Sequence, residues 1–329
     1  MKPASFRRIV GCLIACAGAA ASLLPPAAYA QDYPAKPIRM IVPFSVGGPT
    51  DGMARDLAKR MADELGQPVI VDNRPGSGGN IGADMVARAA PDGYTLLFAS
   101  NGPLAGNPSL YRSISYDPIK SFAPITAYAA IGNILAVHPS MPVQTLQELL
   151  QLVKSSPGKY SYASGGSGTT QHFSGELLKA MLGLDLAHVP YKGEAPAMTD
   201  ALGGQVPIVF CSFSSCLAHV RSGKLRALAV TTARRNTALP TVPSLSEALP
   251  GYEMSAWYGL VAPSGTPAAV IRKLNAVAVR LIRSEAVASR IASYGGESMA
   301  GTPEEFGQFI QTEAVHWAQV VKTTHATVD

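Results

Sequence analysis

Short apolar runs alternate with amphipathic, helix-period segments along almost the whole chain, and this alternation constrains the fold more than any other feature. Residues 38–44 (IRMIVPF) read as a buried strand, followed by a helix over 50–65. Residues 68–72 (PVIVD) form the next strand, 81–90 a helix, and 94–100 (YTLLFAS) a third strand. Apolar runs of four to eight residues between helices belong to a parallel sheet covered on both faces. The pattern returns with a strand at 135–138 and a helix opened by Thr145 and Glu148, spaced as a capping box. Strands at 160–163, 186–190, 206–211 and 225–231 follow, with helices over 170–182 and 195–202 between them. A last apolar run covers 256–262, and the tail from Pro267 onward reads as helix throughout. The expectation is two α/β units of roughly a hundred residues each. Two doubly wound units that face one another form a cleft able to close on a solute.

The first thirty residues differ in kind. Lys2, Arg7 and Arg8 precede an Ala/Leu-rich stretch, Pro25 and Pro26 end it, and Ala28-Tyr29-Ala30 reads as a cleavage site. Residues 1–30 are therefore expected to be a signal peptide. Leu13-Ile14-Ala15-Cys16 resembles a lipoprotein box, the alternative processing route, which would leave a lipid on Cys16. Export changes the charge balance. The precursor carries +5, but the leader holds three of its 27 basic residues and none of its 22 acidic ones. The mature chain is thus 24 against 22, or +2, which offers no basic footprint for nucleic acid. Cys211 and Cys216, the two cysteines outside the leader, are close enough in sequence for a local disulfide in an oxidising compartment, with two buried thiols as the alternative.

The polar turns between strands and helices carry the functional signal. Pro43-Phe44-Ser45-Val46-Gly47-Gly48-Pro49-Thr50-Asp51 is the first, Arg74-Pro75-Gly76-Ser77-Gly78-Gly79-Asn80 the second, and Ser164-Gly165-Gly166-Ser167-Gly168-Thr169-Thr170-Gln171-His172 the third. Ser100-Asn101-Gly102 adds a fourth. Each of the first three precedes a helix start, whose free N–H groups favour an anion. Each alone is an ordinary cap or turn; together, at equivalent places in an alternating fold, they suggest a site of backbone amides and hydroxyls. Asp51 fits better as an anchor of its own loop than as a contact for an anionic ligand. Enzyme signatures are missing from the sequence. It has no phosphate loop, dinucleotide fingerprint, Gly-x-Ser-x-Gly elbow or metal-spaced histidines. No cofactor or metal is expected. A hydrolase built on Ser164 or Ser167 near His172 is the remaining catalytic alternative.

Several segments in order resemble the extracytoplasmic receptors of tripartite tricarboxylate transporters, the Bug family. They are Tyr33-Pro-Ala-Lys-Pro-Ile-Arg, the Phe44 to Asp51 loop, Val71-Asp-Asn-Arg-Pro-Gly-Ser-Gly-Gly, Ala90-Pro-Asp-Gly-Tyr-Thr-Leu-Leu, His188-Val-Pro-Tyr-Lys-Gly, Gly223-Lys-Leu-Arg-Ala-Leu-Ala-Val-Thr, Pro263-Ser-Gly-Thr-Pro and Thr302-Pro-Glu-Glu-Phe. The resemblance implies a flytrap of the type II periplasmic-binding-protein kind. One domain would comprise 31–130 plus 255–329 and the other 131–254. It further implies a non-enzymatic periplasmic monomer that captures a small mono- or dicarboxylate, aliphatic or aromatic, and hands it to membrane carrier subunits. A ligand-sensing role towards a membrane signalling partner is the alternative. Carried over onto this chain, the ligand contacts would be Phe44, Ser45, Gly47, Gly48, Asp51, Ser100, Asn101, Ser164, Thr169, Thr170 and His172. Two departures stand out. Pro207 and Ser212 occupy the strand where the family often has acidic residues, which implies poorer recognition of amine-bearing ligands. Ser45-Val46 also stands where a proline is frequent.

Overall fold

The computed structural model describes residues 33–166, 168–191 and 193–324. The leader, with its cleavage site and Cys16, lies outside the described residues, as does Ser167.

Ten strands and eleven α-helices alternate in the described residues. In chain order they are β1 (Ile38–Val42), α1 (Pro49–Leu65), β2 (Val69–Asn73), α2 (Asn80–Ala87), β3 (Thr95–Ser100), α3 (Asn107–Leu110), β4 (Phe122–Val137), α4 (Leu146–Lys154), β5 (Ser161–Ser164), α5 (Thr170–Leu182) and β6 (Ala187–Pro190). They continue with α6 (Glu194–Leu202), β7 (Ile208–Ser212), α7 (Phe213–Arg221), β8 (Arg226–Val230), α8 (Leu245–Ala248), β9 (Ser255–Pro263), α9 (Ala268–Arg283), α10 (Glu285–Ser293), β10 (Gly296–Ser298) and α11 (Pro303–Thr324).

The strands run in the order β2-β1-β3-β9-β4-β7-β5-β6, with β8 and β10 also paired to β4. Within this order the same unit occurs twice. β1 lies between its parallel partners β2 and β3, and β5 lies between its parallel partners β6 and β7. In each unit the chain leaves the middle strand, forms one neighbour, and crosses back to form the other. That reversal opens a crevice beyond the strand ends. Two doubly wound α/β halves with a cleft between them are the flytrap fold expected from the sequence.

The sheet is mixed rather than purely parallel, because β9 runs antiparallel to β3 and β4, and β4 antiparallel to β7. The expectation of a strand at 135–138 caught only the end of sixteen-residue β4. Pro124 and Gly132 break its apolar run, and the register shifts between Pro124 and Thr126 and again between Ala127 and Ala129, where a bulge tolerates proline. The tail is likewise not wholly helical. β10 interrupts it and pairs with residues 129–131, and the helix-like composition around it concealed that edge.

Local chemistry explains where the helices start, where they stop and which face they bury. α1 begins after Gly48 with Pro49 in its first turn, buries Met53, Ala54, Leu57, Ala58 and Met61, and ends at Gly66, whose left-handed backbone sends its N–H to the Ala62 carbonyl. α4 starts at Thr145, whose hydroxyl accepts the Glu148 N–H. The Glu148 carboxylate reaches the Gln144 N–H at 2.5 Å, one residue earlier than a strict capping box. α9 turns Ile271, Leu274, Ala278, Leu281 and Ile282 into the core, each large side chain contributing about 1.5–3 kcal/mol.

The chain passes between the halves along β4 and again between β8 and β9. Thr231, fully buried, ties the two crossings. Its N–H donates to the Asn133 carbonyl at 3.0 Å, and its carbonyl accepts from Met254 at 2.9 Å. Cys211 and Cys216 form a disulfide with Cα atoms 5.9 Å apart, which staples the end of β7 to the first turns of α7.

Candidate functional site

A cavity of about 450 Å³ opens where the ends of β1, β3 and β5 converge. Phe44 and Thr50 come from the β1 end, Ser100 and Asn101 from the β3 end, and Gly168, Thr169, Thr170 and Gln171 from the β5 end. Tyr258 on β9 and Trp317 on α11 complete the wall. Every described residue lining it is uncharged, so an anion here is met by neutral donors.

Helix geometry supplies those donors. At α5 the Thr169 hydroxyl accepts the His172 N–H at 3.2 Å, and the Thr169 carbonyl accepts that of Phe173 at 3.1 Å. The first-turn N–H groups of Thr170 and Gln171, both in the lining, have no carbonyl within the helix to reach. At α1 the Gly52 N–H returns to Gly48 at 3.0 Å, which leaves those of Thr50 and Asp51 in the same position; Pro49 has none. Both macrodipoles therefore present their positive ends to the cavity. Following β3, residues Gly102–Gly106 form a π-helical turn, a form found often at functional sites.

Of the expected ligand contacts, Phe44, Ser100, Asn101, Thr169 and Thr170 line the cavity, with Asn101 only 4% exposed. The remaining expected contacts do not line it, for reasons visible in their bonding. Gly47 takes a positive φ of 85°, accessible to glycine at little cost, and its N–H is spent on Asp51 Oδ2 at 2.9 Å. Asp51 is buried and also accepts from Asn73 Nδ2 at 2.9 Å and Arg55 Nε at 3.0 Å. Burial pushes its carboxyl up, but the bonds from Arg55, Gly47 and Asn73 outweigh this and hold it below the ordinary aspartate range. Asn73 Nδ2 also donates to the Phe44 carbonyl at 3.0 Å. Asp51 thus fastens the first loop, while Ser45 is turned out to solvent and Gly48 serves as the cap of α1.

Ser164 and His172 lie behind the third loop. Ser164 is fully buried and its hydroxyl pairs with His188 Nε2 at 2.7 Å, while the Gly168 N–H donates to His172 Nδ1 at 3.2 Å. The His172 and His188 rings stack at 4.3 Å. Ligand atoms of His172, Glu176 and His188 come within 4.8 Å of one another, as a metal trio would. Each already has a partner, however. Glu176 accepts from Tyr162 at 2.8 Å and from Lys179 at 2.8 and 2.9 Å. The cluster reads as a hydrogen-bonded frame beneath the loop. The Ser164–His188 pair imitates a nucleophile and its base, but the hydroxyl is sealed from the cavity. Burial and the neighbouring His172 push the His188 imidazole down to about 4, far from the value that suits a general base near neutral pH.

Sequence reasoning missed Asn107, Tyr111, Ala256, Tyr258 and Trp317 in the lining. The second glycine-rich turn was noticed for its amides, yet Gly78 serves by being small: a Cβ there would lie 2.4 Å from the Tyr111 hydroxyl. Nothing in the α11 pattern distinguished Trp317 from a core residue, and it does pack edge-on against Phe173 at 5.1 Å.

Known proteins give the same architecture. Residues 53–325 match the TctC family, described as the tripartite tricarboxylate transporter family receptor. Protein BugT of Bordetella pertussis is 39% identical over 320 residues, 97% of each chain. The Rhodopseudomonas palustris protein Rpa4515, solved with adipate, superposes with a TM-score of 0.79 at 35% identity, over 90% of this chain and 100% of that one. MatC of Rhodopseudomonas palustris, solved with bound malate, gives 0.74 at 33% identity, over 88% and 100%. Matched over most of its length by the family and by such relatives, the chain belongs to the tripartite tricarboxylate transporter receptors, the Bug family of periplasmic solute-binding proteins.

Proposed function

We propose that this chain captures a small organic carboxylate in the periplasm and presents it, in a closed form, to the membrane carrier of a tripartite transporter. The observation that carries this reading is the uncharged cavity of about 450 Å³ onto which α1 and α5 both open their N-termini, beside Ser100, Asn101 and Thr169. A carboxylate in such a place accepts charge-assisted bonds contributing about 1.5–3 kcal/mol each, against the roughly 8 kcal/mol net that micromolar binding requires. That adipate and malate accompany the two solved relatives supports the ligand class. We take 31–130 with 255–329 as one closing lobe and 131–254 as the other, because the chain crosses between the halves near Asn133 and Thr231. No helix among the described residues is long and apolar enough to cross a membrane, so contact with a carrier would be made by the receptor's outer surface.

The test is a thermal-shift screen of the mature chain against organic acids, with product analysis alongside. At a hundredfold excess over Kd the ligand adds about 2.7 kcal/mol. With about 2 cal/mol/K of unfolding entropy per residue, that raises Tm by roughly 4–5 °C. Ser100→Ala, which removes a lining hydroxyl that caps no helix, is expected to weaken binding about tenfold. Absence of a shift with every acid, or turnover of any of them, would refute the receptor reading.

A further inference from the structure

The ends of β1, β3 and β5 contribute to the cavity, and the end of one further strand lies beside it. That strand is β7, the counterpart of β3 in the second half, since each is the crossed-back partner of its middle strand. After β3 the chain places Ser100 and Asn101 in the cavity; after β7 it places Ser212 and the N-terminus of nine-residue α7 at the equivalent point. That N-terminus is already occupied by an anion, the Glu194 side chain. Glu194 accepts the Ser212 backbone N–H, the Ser212 hydroxyl at 2.9 Å and the Ser215 hydroxyl at 2.7 Å. All three donors are neutral, and among the described residues no lysine or arginine is paired with the carboxylate.

Glu194 also borders a small cavity of about 80 Å³ together with Ser212 and Asn133. This space shares Thr170, Gln171, Ala256 and Tyr258 with the main cavity, so it continues the same cleft. The Glu194 charge reaches that shared wall. Burial chiefly, and Glu194 in addition, push the Tyr258 phenol up to about 12, against the opposing hydrogen bond with Thr50.

We propose that Glu194 is a specificity-determining residue: a built-in carboxylate at the β7 side of the cleft that restricts the cargo to one carboxylate, with an uncharged or cationic group at its other end. The proposal rests on the carboxylate-receptor reading and refines it. Two carboxylates brought together in one site with no cation between them disfavour each other's ionised form. A diacid that reaches Glu194 must therefore take up a proton, and it binds more weakly for that cost. The expectation drawn from Ser212 alone changes accordingly: the strand lacks an acidic residue there, but Glu194 brings a carboxylate to the same point, so a terminal amine is tolerated.

The experiment is calorimetric titration of the mature protein with chain-length-matched probes: butyrate and succinate, hexanoate and adipate, octanoate and suberate, with 6-aminohexanoate as the cationic arm. At each length that binds, the wild type should favour the monoacid over the diacid at least tenfold, with 6-aminohexanoate no weaker than adipate. Glu194→Gln should reduce that preference about tenfold and leave monoacid affinity within threefold. A measurement on the wild type alone guards against a variant that fails to fold. Titration in two buffers of different ionisation enthalpy should show proton uptake with the diacid and none with the monoacid. A wild-type preference for diacids, diacid binding without proton uptake, or an unchanged ratio in a folded Glu194→Gln protein overturns this proposal alone. Failure of every probe to bind overturns the carboxylate-receptor reading together with it.

Discussion

Removing the Asp51 carboxylate should loosen the first cleft loop by an amount the structure allows one to work out. Asp51 is 3% exposed and accepts from the Gly47 N–H and the Asn73 amide at 2.9 Å each and from Arg55 at 3.0 Å. Hydrogen bonds to a charged group contribute about 1.5–3 kcal/mol each. Taking the low end for the two neutral donors gives about 3 kcal/mol. The Arg55 side chain is 48% exposed, and solvent-screened pairs of that kind add little. With about 2 cal/mol/K of unfolding entropy per residue over some 290 residues, Asp51→Ala should lower Tm by about 5 °C. The loss should depend on pH in a defined sense. The folded carboxyl lies below its unfolded value, so its stabilisation is complete above the unfolded pKa of about 3.9 and disappears as pH falls through the folded value. The gap between wild type and Asp51→Ala should therefore be constant from pH 5 to 8 and close below about pH 4. Chemical denaturation of the two proteins across that range measures it. A gap under about 0.5 kcal/mol at pH 7, or one that widens on acidification, would refute the assignment of Asp51 as the anchor of the loop.

Other perturbations follow from the same contacts. Reducing the Cys211–Cys216 bridge, which closes a short loop, should cost about 2 kcal/mol by the loop-entropy relation, read as a reductant-dependent drop of about 3–4 °C in Tm. Gly175→Ala places a Cβ 2.2 Å from the Tyr162 ring. That ring is held by bonds to His172 and Glu176, so the substitution should destabilise by about 1–3 kcal/mol in urea unfolding. Because burial and His172 hold the folded His188 imidazole at about 4, below its unfolded value, its contribution is complete above about pH 6.5 and declines as pH falls towards 4. His188→Asn should flatten that part of the stability profile, and a His188 ring proton that titrates near 6.5 in the folded wild type would contradict the reading.

Much of the molecule is legible in its residue order, and the reasons are local. The helix over 170–182 matches α5 at both ends because Thr169 caps it and Gly183 stops it, and both signals lie in adjacent residues. The Phe44 loop is recognisable because a turn that opens a helix has few ways to dispose of its N–H groups. β4 and β10 escape such reading, because a bulged strand interrupted by proline and glycine carries no clean period.

The amino-acid order alone determined the alternating α/β units and the turns that open the helices, since capping, periodicity and turn chemistry act between near neighbours. Only the tertiary structure decided which turn residues share a wall. It drew Ser164 behind a histidine, brought Tyr258 and Trp317 from distant segments into the lining, and seated Glu194 on a helix that begins nineteen residues later. Such choices depend on which strand lies beside which, and strand order is set by packing the whole sheet rather than by any stretch of it.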